Sequence, residues 1–152
     1  MTLSSQPPAA NPTMAKFGYP ETLIHDYAHW AVLLRPQQAT LGALVLACKD
    51  PAQAFGDISP AAFAELSRVI GDIEAGLRTF RPYQKINYLM LMMVDPDVHF
   101  HVIPRYEGAR ERDGRAFADA GWPGPPNLAS HVALSEDEAA ALAADFASRW
   151  RV

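Results

Sequence analysis

Asp97-Val98-His99-Phe100-His101-Val102-Ile103-Pro104-Arg105 is the stretch from which the fold of this chain can be read. In a β-strand successive side chains point to opposite faces. Asp97, His99, His101 and Ile103 then share one face, and Val98, Phe100 and Val102 share the other. The second set can pack into a core. Imidazole and carboxylate gain nothing from burial unless they are paired or hydrogen-bonded. A strand that is apolar on one side and ionisable on the other predicts the floor of a functional site.

The flanking sequence predicts a scaffold for that strand. Lys85 to Val94 is a nearly continuous apolar run, and Asp95-Pro96 is a turn signal, so the two strands should form an antiparallel hairpin. With a two-residue loop, Met92 would face His99 and Met90 would face His101. Tyr27–Leu34 and Leu41–Cys48 predict two further strands, with Arg35-Pro36-Gln37-Gln38 as the turn or loop between them. Gly42 inside the second marks a bulge or a close backbone approach.

Ser59 is a good N-cap and Pro60 suits the first helical position. From there Phe63, Leu66, Ile70, Ile73, Leu77 and Phe80 recur at spacings of three and four. That predicts a helix to about Thr79 or Phe80 with one apolar stripe, laid on a sheet. Gly108–Asp119 carries five charged residues between Arg110 and Arg115 and predicts a solvated loop. Trp122-Pro123-Gly124-Pro125-Pro126 is a rigid turn whose tryptophan either closes a pocket or packs at a dimer interface. Ser135-Glu136-Asp137-Glu138 is a capping box that opens a last helix to about Trp150. Leu142, Phe146, Arg149 and Trp150 lie on or near one of its faces. Residues 1–16, rich in Ser, Pro, Ala and Asn, read as a flexible tail. Residues 17–152 then form a single domain.

Composition narrows the functional classes. A chain of 152 residues with 49% hydrophobic content can bury one sizeable core. A net charge of -4 argues against nucleic acid or an anionic membrane as the main partner. The single cysteine, Cys48, forms no internal disulfide and reads as a small core residue. No apolar run is long enough to cross a bilayer and no secretory signal is visible, so a cytoplasmic location is expected.

Three chemistries compete for His99 and His101. The pair can hold a metal ion, with Asp97 as third ligand. It can be structural, on a sheet edge. Or one imidazole is a nucleophile while the other binds or polarises the group under attack. His25, His29 and His131, each alone, read as ordinary polar residues.

His99-Phe100-His101-Val102-Ile103-Pro104-Arg105 resembles the signature of the histidine triad (HIT) family: His, apolar, His, apolar, His, two apolars, often Pro-Arg. Phe17-Gly18, the Tyr27 strand, Leu41-Gly42, the Ser59-Pro60 helix and the Lys85 strand fall in the family's order. The resemblance covers about residues 17–106, with 107–152 as a C-terminal extension. Length and that extension are closer to the Fhit-like branch, which includes dinucleoside polyphosphate hydrolases, than to the shorter Hint branch.

The resemblance implies an α+β, HIT-like fold: an antiparallel sheet of about five strands with a long helix packed on it and a C-terminal helix. It implies a homodimer and a purine nucleotide or dinucleotide substrate, such as diadenosine tetraphosphate or a nucleoside phosphoramidate. His99, at the second triad position, is then the nucleophile that forms a covalent nucleotidyl-histidine. His101 is the phosphate contact that donates to a non-bridging oxygen. No cofactor is required, and a divalent metal enters only as an ion carried by the substrate. The adenine pocket of relatives is lined by apolar residues of the region holding Trp30 and Leu34, for which the alternative is the core.

Two positions depart from the family. Asp97 replaces the first triad histidine, where it could hydrogen-bond a site histidine or repel the substrate. Six residues before His99, where many members have Ser, Thr or Gln, stands Met93, whose thioether cannot donate to phosphate. Asn87, Arg105 and the Arg110–Arg115 segment are the candidate replacement donors. A nucleotide-binding or regulatory protein with weak or no catalysis is the alternative that these departures raise.

Overall fold

A computed structural model describes residues 10–150. In chain order the elements are α1 (Pro12–Lys16), β1 (Leu23–Asp26), β2 (Trp30–Leu34), β3 (Gln37–Gln38), β4 (Leu44–Cys48) and a 3-10 turn (Phe55–Asp57). There follow α2 (Pro60–Phe80), β5 (Lys85–Leu89), β6 (His99–Arg105), β7 (Arg110–Arg112), β8 (Arg115–Phe117), β9 (Val132–Ala133) and α3 (Glu136–Arg149). Five strands form an antiparallel sheet in the order β1-β2-β4-β6-β5. The fold is mixed α+β, with the helices packed on the sheet. No helix among the described residues is long and apolar enough to cross a membrane.

The two-residue period of the strands divides the sheet into two unlike faces. Trp30, Val32 and Leu34 of β2, Leu44 and Leu46 of β4, and Val102 of β6 share one hydrophobic core with α2 and α3. Cys48 lies in that core, as its residue type suggests. Phe117, Leu142 and Phe146 belong to the same core, so the C-terminal extension packs into the body of the fold. The opposite face carries Ala31, Leu33, Val45 and Ala47, covered by Met14.

That cover was not expected. Residues 1–16 read as a tail; the first nine lie outside the described residues, but Pro12–Lys16 is helical. The Asn11 side chain caps α1 by accepting from the Met14 N–H, and its amide donates to the Cys48 carbonyl at 3.0 Å. Burial of Met14 to 1% exposure holds the short helix where its own length could not.

Both long helices follow their sequence signals. Ser59 Oγ accepts from the Ala62 N–H, and the Ser135/Glu138 capping box has both of its hydrogen bonds. The stripe of α2 is rotated from the one expected. Phe63 is exposed and Ile70 half-buried, while Ala62, Val69, Ile73, Gly76, Leu77 and Phe80 face the core. Small residues decide this rotation. Ala62 brings the helix backbone close enough for Trp30 Nε1 to donate to its carbonyl at 2.8 Å. Gly76 lies under the Trp150 ring. Trp150 Nε1 donates to Tyr27 Oη at 2.8 Å, and Tyr27 donates to the buried Asp72 carboxylate at 2.7 Å.

Strand boundaries differ from expectation at several places, Gln37–Gln38 among them, which pairs with β9 instead of forming only a turn. The predicted Tyr27–Leu34 strand begins at Trp30, and Leu23–Asp26 forms an edge strand beside it. The Leu41 strand begins at Leu44; Gly42 precedes it at φ +98, with Leu77, Phe146 and Pro104 side chains 3.4–3.5 Å from where a Cβ would stand. The charged stretch after Gly108 is the hairpin β7–β8, not a loop. Asp113 and Gly114 both have positive φ, the conformation that a two-residue type I′ connection requires.

At Gly76 a Cβ would sit 2.6 Å from Trp150 Cζ3 and 2.8 Å from Cε3. Alanine gains about 1 kcal/mol over glycine in helix propensity, but here it must displace a rigid ring. Gly76→Ala is expected to lower stability by a net of about 1–2 kcal/mol in urea denaturation; an increase would show that the Trp150 packing contributes little.

Candidate active site

Pairing on both sides fixes the orientation of β6. Ala47 lies opposite His99, and Val45 and Leu89 lie opposite His101. Because Phe100 and Val102 point towards the helices, His99 and His101 point to the face covered by α1. Both are buried, at 2% and 8% exposure. Their ring centroids are 5.2 Å apart, and the Phe17 ring packs against both at 6.0 and 5.7 Å.

His99 Nδ1 lies 2.7 Å from the Asp97 carbonyl oxygen. A carbonyl only accepts, so the proton is on Nδ1 and the Nε2 lone pair is left available. Asp97 itself precedes the strand and lies outside its ladder. Its carboxylate accepts from Thr13 Oγ1 at 2.9 Å. The residue at the first triad position thus bonds neither histidine through its side chain; its main chain orients His99.

Both histidines line a cavity of about 240 Å³ with Lys16, Phe17, Arg35 and Gln37. Leu91–Asp95 and Leu128 complete its wall. A second cavity of about 150 Å³ shares Lys16, Phe17, Arg35 and Gln37. The expected hairpin beside the site is absent: β5 ends at Leu89, which pairs with His101, and residues 90–98 form an irregular link. Met90 and Met92 therefore do not face the histidines across a ladder. Met92 has φ +51, and Met93 and Val94 are 87% and 81% exposed. Polar anchors explain the detour, since Asp95 receives two bonds from Lys16 Nζ, at 2.9 and 2.8 Å, and Asp97 receives Thr13.

Two cations, Lys16 and Arg35, and one carboxylate, Asp95, line the cavity. Burial, with the Arg35 charge beside it, pushes the His101 imidazole down to about 4. His101 is therefore neutral at pH 7, and its buried Nδ1 has no protein partner. Arg35 is 8% exposed; its Nη1 donates to the Gln37 carbonyl at 2.5 Å, and its Nε has no partner. Gln38 braces the turn that presents Arg35: its amide donates to the Arg35 and Ala43 carbonyls, and its oxygen accepts from Gly42 N–H.

Arg35, Lys16, Phe17 and Gln37 did not emerge as site residues from sequence. The signal for Arg35 was a lone cation directly after a strand of apolar residues. Lys16 was hidden in a segment whose composition resembles a tail.

The remaining candidates fall elsewhere. Trp30 and Leu34 are fully buried on the helix side of the sheet, away from the histidines, because their parity in β2 is that of Val32. Arg105 is buried and pairs with Asp119 through Nε and Nη2, at 2.8 and 2.9 Å, while Nη1 donates to Asn87 Oδ1 at 2.8 Å. Arg105 and Asn87 line a groove with Trp122 outside the histidine cavity. Arg112 and Arg115 bond Asp145 and Glu138 of α3. None of these replaces the donor missing at Met93. The metal arrangement with Asp97 is not formed, and no group of three potential ligands converges among the described residues.

The His101 environment sets a pH dependence. Its folded pKa is depressed, so the unfolded chain takes up a proton near pH 6.5 that the folded chain refuses until about pH 4. Stability is complete above pH 6.5 and falls as pH drops towards 4, by up to about 3 kcal/mol from this group. Urea denaturation of wild type and His101→Gln at pH 7 and pH 4 should show the smaller acid loss in the variant; equal losses would contradict this environment.

No family model matches the sequence, and no curated protein matches it. Solved structures do. A histidine triad protein from Sinorhizobium meliloti superposes with a TM-score of 0.71 at 22% identity, over 93% of this chain and 96% of its own. One from Bradyrhizobium japonicum gives 0.68 at 19% identity, again over 93% and 96%. A hypothetical histidine triad nucleotide-binding protein from Sulfolobus tokodaii gives 0.60 at 15% identity, over 84% and 82%. With its five-stranded antiparallel sheet, its two packed helices and its histidine strand second from the edge, this chain has the fold of the histidine triad proteins.

Proposed function

We propose that the protein is a nucleotidyl hydrolase or transferase that works through a covalent intermediate on His99. The observation that carries this reading is the 2.7 Å bond from His99 Nδ1 to the Asp97 carbonyl inside a cation-lined cavity. A neutral imidazole with a fixed tautomer needs no further base to attack. The description of the Sulfolobus tokodaii neighbour as nucleotide-binding agrees with it.

In this mechanism Nε2 of His99 forms a bond to the α-phosphorus, and the bond from phosphorus to the leaving group breaks, its electrons departing with that group. His101 donates a hydrogen bond to a non-bridging oxygen, where charge collects in the transition state. Water then attacks the phosphorus, the P–N bond breaks, and the electrons return to Nε2. A nucleoside monophosphate is released, and one proton from water leaves with the products. Dinucleoside polyphosphates and nucleoside phosphoramidates are the proposed substrates. A homodimer is proposed as well, supported by the free edge of β5 in the protomer.

A second reading is favoured by one observation: Met93, where the resemblance expects a donor to the leaving group, is an 87% exposed thioether on the cavity wall. On that reading the protein binds nucleotide without efficient turnover.

Turnover of diadenosine polyphosphates and of nucleoside phosphoramidates, with intact mass spectrometry, separates the two. His99→Ala is expected to lower turnover by about 10³-fold or more, and wild type should yield a nucleotidyl adduct absent from the variant. Undiminished turnover in the variant would exclude the covalent route. Nucleotide binding with no turnover in wild type would establish the second reading.

A further inference from the structure

The Arg35 guanidinium is a buried cation whose charge is not matched by the protein. It is 8% exposed, and it takes part in none of the ion pairs among the described residues. Its Nε is buried without an acceptor. Lys16, the other cation of the cavity, differs: it is half-exposed and already paired with Asp95. Buried charges are normally paired, because removing an ion from water is costly. Nor is Arg35 held in place as a by-product of core packing. Gln38, 1% exposed, spends its whole amide on the turn that presents it.

Arg35 also lines both cavities: the one that contains the two imidazoles and the smaller one next to it. A single phosphoryl group held between His99 and His101 occupies only the first. The neighbouring space, walled by Arg35, Lys16 and Gln37, is a place for a further group on the same molecule. A planar guanidinium whose charge the protein leaves unmatched is suited to a carboxylate or phosphate rather than to a neutral ring.

We propose that Arg35 forms a second anion subsite beside the imidazole pair, so that the preferred ligand carries two anionic groups, one at His99/His101 and one, phosphate or carboxylate, at Arg35. This rests on the proposed function only in taking the first anion to be a phosphoryl group. Arg35 is then a specificity-determining residue that selects against mono-anionic phosphate esters.

Calorimetric titration of the full chain with inorganic phosphate, pyrophosphate and phosphonoacetate tests this without any turnover. A protein with no nucleotidyl transfer can therefore still pass, and an active one can still fail. Pyrophosphate or phosphonoacetate should bind wild type at least about tenfold more tightly than phosphate, as expected for one charge-assisted contact. The tighter of the two identifies the second group as phosphate or carboxylate. Arg35→Gln should abolish the preference, and Arg35→Lys, which keeps the charge, should retain part of it. In Arg35→Gln the His101 NMR titration midpoint should also move up, since a neighbouring positive charge is removed. Equal binding of all three probes to wild type, no binding of any, or an undiminished preference in folded Arg35→Gln would overturn the subsite. Should Arg35→Gln fail to fold, a preference in Arg35→Lys equal to wild type, in which the bidentate fork is absent, would count against it.

Discussion

The burial of Val102, with Phe100 packed against the same core, is the constraint on which the site depends. Those side chains face the helices, and β6 is paired with β4 on one side and β5 on the other. With a period of two, no freedom remains: His99 and His101 must project from the other face. A slip of one residue would bury both imidazoles among leucines and expose the core set. The apolar half of the strand therefore positions the chemistry, and the histidines contribute nothing to their own placement. Register is set where hydrophobic area is large, and the polar face inherits it.

A strand can aim an imidazole but cannot choose its tautomer. Here the main chain does so. The chain turns at Asp97 just before the ladder begins, and the turn directs a carbonyl at His99 Nδ1. The Asp97 carboxylate is held by Thr13, so α1 and the site share an anchor. The position that departs from the family pattern thus meets His99 through its main chain, while its carboxylate is engaged by Thr13.

The parts legible in the sequence are those in which one local signal governs one local outcome. Ser59-Pro60 and the Ser135/Glu138 box start helices because capping is a matter of adjacent residues. The histidine strand was legible through its alternation, and the sheet through the resemblance that strand carries. What was missed depended on distant partners. Pro12–Lys16 is too short to be stable alone and exists because Met14 finds Ala31, Leu33, Val45 and Ala47. Lys85–Val94 reads as one strand, yet Asp95 and Asp97 are drawn to α1, and the ladder stops at Leu89. Trp30 and Leu34 were placed near a ligand by analogy, although their parity with Val32 already assigned them to the core. Asp113-Gly114 was the one overlooked local signal: a two-residue turn inside a charged run.

The half-exposed Lys16–Asp95 pair at the mouth of the cavity has a consequence of its own. Such a pair contributes only about 0–1 kcal/mol, so it closes the rim loosely. Asp95 stands there as a resident counter-ion. Salt weakens such a pair further, whereas the ladders and the packed core beneath it are indifferent to ionic strength.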